Sequence, residues 1–191
     1  EKQEEERRLV IKKRDKRWYH KFRWFYSSDD FLVIGGKDAD SNEEIVNKYM
    51  EKNDIFFHAD IQGAPATVIK TNKREVPQKT MEETAIFATS YSNFWKMGAF
   101  AGDCYWVYPE QVSKTPESGE YVPKGSFIIR GKRNYFKEVR MDVSIGLSLH
   151  VINNITNPDQ KDRILEDNIN GIIGGPKDAI SKRARYFVEL E

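Results

Sequence analysis

The stretch Phe22–Ile34, FRWFYSSDDFLVI, decides the fold of this chain. Phe22, Trp24 and Tyr26 alternate with Arg23 and Phe25, the period of two that a half-buried strand imposes because successive side chains leave opposite faces. Ser27, Ser28, Asp29 and Asp30 form a cluster of turn residues, and Phe31–Ile34 resumes as a wholly apolar run. Two such runs joined by a short polar turn make a hairpin, the seed of an antiparallel sheet. Gly35 and Gly36 end the second strand.

Toward the C-terminus, Ser41 and Glu44 have capping-box spacing, which predicts a helix over Ser41–Glu51 with Ile45, Val46, Tyr49 and Met50 on its apolar side. Asp54–Asp60 and Ala64–Lys70 read as strands around a Gly63-Ala64-Pro65 corner. Thr80 and Glu83 repeat the capping spacing and predict a helix over Thr80–Lys96, with Met81, Ala85, Ala88, Ser92 and Trp95 along one face. Strand patterns return at Cys104–Tyr108, Phe127–Arg130, Tyr135–Val139 and Asp142–Ile152. Arg163–Ile173 fits either strand or helix; Pro176 opens a short helix to about Ala184, and Tyr186–Leu190 closes the domain as a strand. Runs of strands broken by a few helices give an α+β class: a twisted, mostly antiparallel sheet with two main packed helices.

Toward the N-terminus, residues 1–17 read as a protruding charged helix. Glu4 precedes Arg8 by four residues, the favourable order for a helical ion pair, and only Leu9, Val10 and Ile11 interrupt the charge. A helix polar all round is a bridge or the end of a coiled coil rather than part of a core, so the globular domain is expected over 18–191. The chain opens on Glu1 in mid-helix character and is expected to be a piece of something larger.

The 191 residues are 39% hydrophobic and 13% aromatic, enough for one domain with a substantial core. The single cysteine, Cys104, rules out an intramolecular disulfide framework and fits a reducing, cytoplasmic setting. Neither a membrane span nor a signal peptide is expected, because no run of about 18 apolar residues occurs. The net charge of +1 hides an asymmetry: residues 1–25 hold ten Lys/Arg against five Asp/Glu, leaving 21 against 25 in the remainder. A basic stripe of this kind suits a polyanion, and a solvated helix face shows the same composition.

A second basic element lies at Trp106–Phe136, WVYPEQVSKTPESGEYVPKGSFIIRGKRNYF. Arg130, Lys132 and Arg133 surround Gly131 at a strand end and are followed by Tyr135; Ser113 and Lys114 stand upstream, before a Pro116–Gly119 turn. Basic groups neutralise phosphates and aromatic faces stack on unpaired bases, so the set fits a nucleic-acid face as well as it fits a decorated hairpin. Trp24 and Tyr135 are the stacking candidates. His58 and Asp60, two apart in a strand, share a face beside Gln62. They fit structural hydrogen bonding, contact with a ligand, or an acid–base pair. Lys37, in the Gly35-Gly36-Lys37-Asp38 loop between a strand and a helix, fits a simple turn or a phosphate contact. No metal or other cofactor is expected, since no further ligands accompany His58 at recognisable spacing, and neither Cys104 nor Gly125-Ser126-Phe127 has the setting of a nucleophile.

Three long blocks then carry a family resemblance: residues 18–49, WYHKFRWFYSSDDFLVIGGKDADSNEEIVNKY; 56–70, FFHADIQGAPATVIK; and 105–135, YWVYPEQVSKTPESGEYVPKGSFIIRGKRNY. Together they resemble the NFACT-R domain of the NFACT proteins of ribosome-associated quality control, whose members include the eukaryotic nuclear export mediator factor and bacterial fibronectin-binding-protein-like proteins. The ending GGPKDAISKRARYFVEL is similar to that of archaeal members. The resemblance implies that the N-terminal helix is the tail of a long coiled coil. It implies a non-catalytic RNA-binding module whose partners are tRNA, the large ribosomal subunit with its rRNA, and other domains of the full-length protein, acting in C-terminal tailing of stalled nascent chains. The motif positions carried over are Trp18, Arg23, Trp24, the Gly35–Asp38 loop, His58, Asp60, Ser113, Lys114 and Arg130–Arg133. Two other classes remain: an RNA-processing or RNA-modifying enzyme centred on His58 and Asp60, and a protein-interaction module using the charged helix.

Overall fold

The computed structural model describes residues 17–115, 122–148, 171–184 and 186–190. The helix expected over 1–17, the Pro116–Gly119 turn, the C-terminal part of the Asp142–Ile152 run and most of 163–173 lie outside the described residues. In chain order the strands are β1 (Arg23–Tyr26), β2 (Leu32–Gly35), β3 (Ile55–Ala59), β4 (Thr67–Lys70), β5 (Ala101–Val107), β6 (Val112–Ser113), β7 (Ile128–Ile129), β8 (Asn134–Arg140), β9 (Val143–Ser148), β10 (Gly171–Gly175) and β11 (Tyr186–Leu190). The helices are α1 (Ala39–Glu44), α2 (Gln78–Ser90) and α3 (Lys177–Arg183).

The hairpin forms as its alternation requires. β1 pairs antiparallel with β2, Trp24 opposite Ile34 and Phe25 opposite Val33. From there the sheet runs β1-β2-β4-β3-β5-β8, every neighbouring pair antiparallel. A three-stranded sheet, β10-β9-β11, and the short β6–β7 ribbon complete the architecture. The α+β class with a mostly antiparallel sheet is therefore what the chain adopts.

Period two splits the apolar side chains of the main sheet between two cores. Phe25, Val33, Phe57, Ile69 and Cys104 face α2, which contributes Met81, Ala85, Phe87 and Ala88. Ile34, Phe56, Val68, Tyr105 and Val107 face the other way, beneath Tyr19, Phe22 and Ile45, with Phe127 and Ile129 packed on top. Burial on both faces explains why β2 reads as a continuous apolar run rather than as alternation.

Both predicted caps shift. The cap of α1 is Asp38: its Oδ1 accepts from Ser41 N at 2.8 Å while Ser41 Oγ accepts from Asp38 N at 2.9 Å, so the helix starts at Ala39 and passes into a wider π turn at Ile45–Tyr49. Thr80 and Glu83 lie inside α2, whose N-cap is Pro77. Their side chains instead secure the hairpin turn, Thr80 Oγ1 donating to Asp29 Oδ2 and accepting from the Ser27 hydroxyl at 2.8 Å each, and Glu83 accepting from Ser28 N at 2.8 Å. α2 ends at Ser90, short of the expected Lys96, and Trp95 sits on a following 3-10 turn, 44% exposed rather than in the core.

One buried charge pair closes the far end of the sheet. Lys70 Nζ donates to Asp54 Oδ2 and to Tyr49 O, while Asp54 also accepts from Glu51 N at 2.8 Å and Thr71 N at 3.1 Å. Both side chains are almost fully out of water.

Candidate nucleic-acid interface

Where β3 leaves the sheet, the chain turns at Gly63-Ala64-Pro65 and opens a cleft of about 760 Å³. It is lined by the Gly36–Ala39 loop, by the corner with Ser92, Asn93 and Lys96, and by Pro123–Phe127, which forms its roof against Ala39. Two glycines make that approach possible. Gly63 has φ 81°, and a Cβ there would lie 2.0 Å from Asn93 Nδ2, the atom that donates to Gln62 O at 2.9 Å. Gly125 has φ 79°, and its Cβ would lie 2.6 Å from the Ala39 Cα.

The cleft gathers four residues singled out from sequence: Arg23, Lys37, His58 and Asp60. Arg23 is half-buried, donates to Gly36 O and lies 5.0 Å over the Tyr91 ring, so it braces the loop. The Lys37 side chain is exposed. The loop amides are not spare: Lys37 N and Asp38 N both donate to Ser41 Oγ, at 2.7 and 2.9 Å. An anion at this loop would therefore meet the Lys37 ammonium rather than a backbone nest.

His58 packs between rings, 6.3 Å from Phe56 and 5.9 Å from Tyr105. Burial pushes its imidazole below the usual range, opposed by the Ala59 and Ala64 backbone and by Asp60. Asp60 accepts from Tyr135 Oη at 3.2 Å and lies 3.6 Å from Arg133 Nη1. Arg133 in turn sits 4.7 Å over the Tyr105 ring. Asp60 thus anchors two rim residues instead of polarising His58. No group of three or more His, Cys, Asp or Glu able to hold a metal occurs among the described residues, and burial pushes the Cys104 thiol up.

The remaining predicted residues divide. Tyr135 is 40% exposed, with Lys137 Nζ 4.2 Å over its ring and Tyr105 5.7 Å away. Lys137 also pairs with Asp103 at 2.6 Å, which holds that carboxyl below the usual carboxylate range. Arg130 and Lys132 flank a turn pinned by Gln111 Nε2, which donates to both their carbonyls at 2.8 and 3.0 Å; both side chains are exposed. Ser113 Oγ accepts from Thr115 N at 3.0 Å. Lys114 pairs with Glu43, 71 residues earlier, and Glu43 also accepts from Gly125 N at 2.9 Å, which clasps the roof to α1. Trp24 stacks on His20 at 5.2 Å and packs on the second core. It lies on β1, with four strands between it and Tyr135 on β8, so the two stacking candidates occupy opposite edges of the sheet. Sequence reasoning missed Tyr105, Asn93, Lys96 and Phe127 as cleft residues; the first and last carry an ordinary core-strand pattern, and Lys96 falls in a stretch that reads as helix.

Because the folded-state affinity of His58 for a proton is below that of the unfolded chain, its contribution to stability is present above about pH 6.5 and is lost as pH falls through the lowered folded value. The urea midpoint is expected to drop between pH 7.5 and 5.5, and His58→Gln to shrink that drop. An unchanged difference in the variant would remove His58 as the cause.

Comparison with known proteins adds independent findings. Residues 21–131 match the family described as the NFACT protein RNA binding domain. The archaeal Rqc2 homolog aRqcH of Methanocaldococcus jannaschii is 53% identical over 135 residues, covering 71% of this chain and 20% of that protein. The ribosome quality control complex subunit NEMF homolog of Drosophila melanogaster is 45% identical over 141 residues, 73% of this chain and 14% of that protein. The chain therefore spans a fifth or less of the length of these relatives. The C-terminal part of the fibronectin/fibrinogen-binding protein of Streptococcus suis superposes with a TM-score of 0.53 at 18% identity, over 70% of this chain and 49% of that one, a likeness of fold.

Proposed function

Because this chain belongs to the NFACT protein RNA binding domain family, we infer that it is the RNA-binding module of a ribosome quality control factor, taking tRNA and rRNA at the obstructed large subunit. The role is non-catalytic. It holds tRNA in support of C-terminal tailing of the stalled chain, in the cytoplasm, alongside other domains of a longer protein. No helix among the described residues is long and apolar enough to cross a membrane.

The observation that carries this reading is the convergence of Arg23, Lys37, His58 and Asp60 in one cleft, with Arg133 and Tyr135 tied to Asp60 at its rim. Lys37, Lys96 and Lys132 are exposed and hold no ion pair among the described residues, which leaves them available to phosphates. Enzymatic use of His58 and Asp60 is disfavoured by the commitment of Asp60 to Tyr135 and Arg133.

Phosphate contacts release counterions, so affinity must fall with salt, by a slope of about 0.7–0.9 per phosphate neutralised. Titrating the chain with tRNA at 50 and 200 mM salt tests this. A drop of about tenfold or more is expected; equal binding at both, or none, would sink the reading.

A further inference from the structure

The cleft has an aromatic floor, with the Arg133 guanidinium 4.7 Å over the Tyr105 ring, and a cationic rim. Tyr105 is 5% exposed, lines the cleft, and its hydroxyl makes no hydrogen bond among the described residues. Phe127, at the end of the roof, lines the same cleft, edge-on to Phe56 at 6.2 Å and 73°. Lys37 and Lys96 both line the cleft and both are exposed. In the same lining, Asn93 uses Nδ2 on Gln62 O and leaves Oδ1 without a partner among the described residues, and the Gln62 side chain is exposed.

We propose that this cleft takes one unpaired nucleotide of RNA, its base against the rings of Tyr105 and Phe127 beside Asn93 and Gln62 and its phosphates on Lys37 and Lys96. The proposal rests on the RNA-binding reading above and specifies which form of RNA the site selects. A volume of about 760 Å³ accommodates a mononucleotide with its ordered water, within the roughly 300–1,000 Å³ of small-ligand pockets. An A-form duplex keeps its base edges at the helix surface and would touch the rim alone, whereas a single strand can send a base inside. Burial lowers the His58 imidazole and pushes the Tyr105 hydroxyl up to about 12, so neither side chain brings a charge to the floor at pH 7. Asp60, the acid at this end, is paired with Arg133.

The test uses the chain with a single-stranded RNA heptamer carrying 2-aminopurine, the same heptamer in a blunt duplex, and AMP or inorganic phosphate as competitor. The plugs are Ser126→Trp and Pro123→Trp, both in the roof and outside the proposed base and phosphate contacts. Both residues are exposed, so either substitution is compatible with folding, checked by circular dichroism. The single strand is expected to bind about tenfold tighter than the duplex, in keeping with one base–aromatic stack. AMP should displace it and inorganic phosphate should not, and a folded plug variant should lose the single-strand advantage while keeping duplex affinity. Equal affinity for the two forms, displacement by phosphate as effective as by AMP, or unchanged single-strand preference in both plugs overturns the nucleotide pocket while salt-dependent RNA binding stands. Absence of all RNA binding overturns both.

Discussion

Replacing Asp54 with alanine is expected to destabilise the domain by about 3–5 kcal/mol, a large part of the roughly 5–15 kcal/mol that holds a typical domain together. The substitution removes the buried counter-charge of the Lys70 ammonium, whose side chain is 8% exposed, and it deprives Glu51 N and Thr71 N of their acceptor. Lys70 keeps Tyr49 O and, at 3.6 Å, the carboxylate of Glu51, which is 71% exposed and compensates the charge only weakly. Lys70→Met should cost less, because the Asp54 carboxylate keeps two backbone N–H donors. Guanidinium unfolding of the two variants reads the asymmetry. A loss below about 1 kcal/mol for Asp54→Ala would mean that the pair is hydrated and contributes as an exposed pair does.

The second large effect concerns binding. Reversing Lys37, Lys96 and Lys132 to glutamate together should weaken tRNA by two to three powers of ten near 0.1 M salt. Three phosphates at a slope of about 0.9 each across one decade of salt give that figure. All three side chains are exposed and hold no ion pair among the described residues, so stability should change by only a few tenths of a kcal/mol. The diagnostic is the salt dependence, whose slope should shrink by about three. A uniform loss with an unchanged slope would place the phosphates elsewhere.

The hairpin at the head of the sheet was legible because alternation, a polar turn and a terminating glycine pair all agree at Phe22–Gly36. The helix starts were legible only to within a turn. A serine or threonine three residues before a glutamate describes Ser41–Glu44 and Thr80–Glu83 equally well. In the fold Ser41 serves an earlier cap, and Thr80 with Glu83 serves a turn about fifty residues away. Tertiary demand overrode a local signature, which a single sequence does not reveal. The cleft was half legible for the same reason. His58, Asp60 and Lys37 stand out by type and setting. Tyr105 and Phe127 look like any strand residues, and no spacing rule joins Lys114 to Glu43. Basic residues near one another in sequence likewise divided into free rim cations and structural partners.

The Glu43 clasp changes how mutational data on this domain must be interpreted. If charge alone mattered, neutralising Lys114 would weaken RNA and neutralising Glu43 would strengthen it. With the roof held to α1 through Lys114, Glu43 and Gly125 N, both changes should weaken it, and the double variant should be little worse than either single one. The genetics at these two positions would then show non-additive losses of the same sign from opposite charges: the signature of a fastener rather than of a ligand contact.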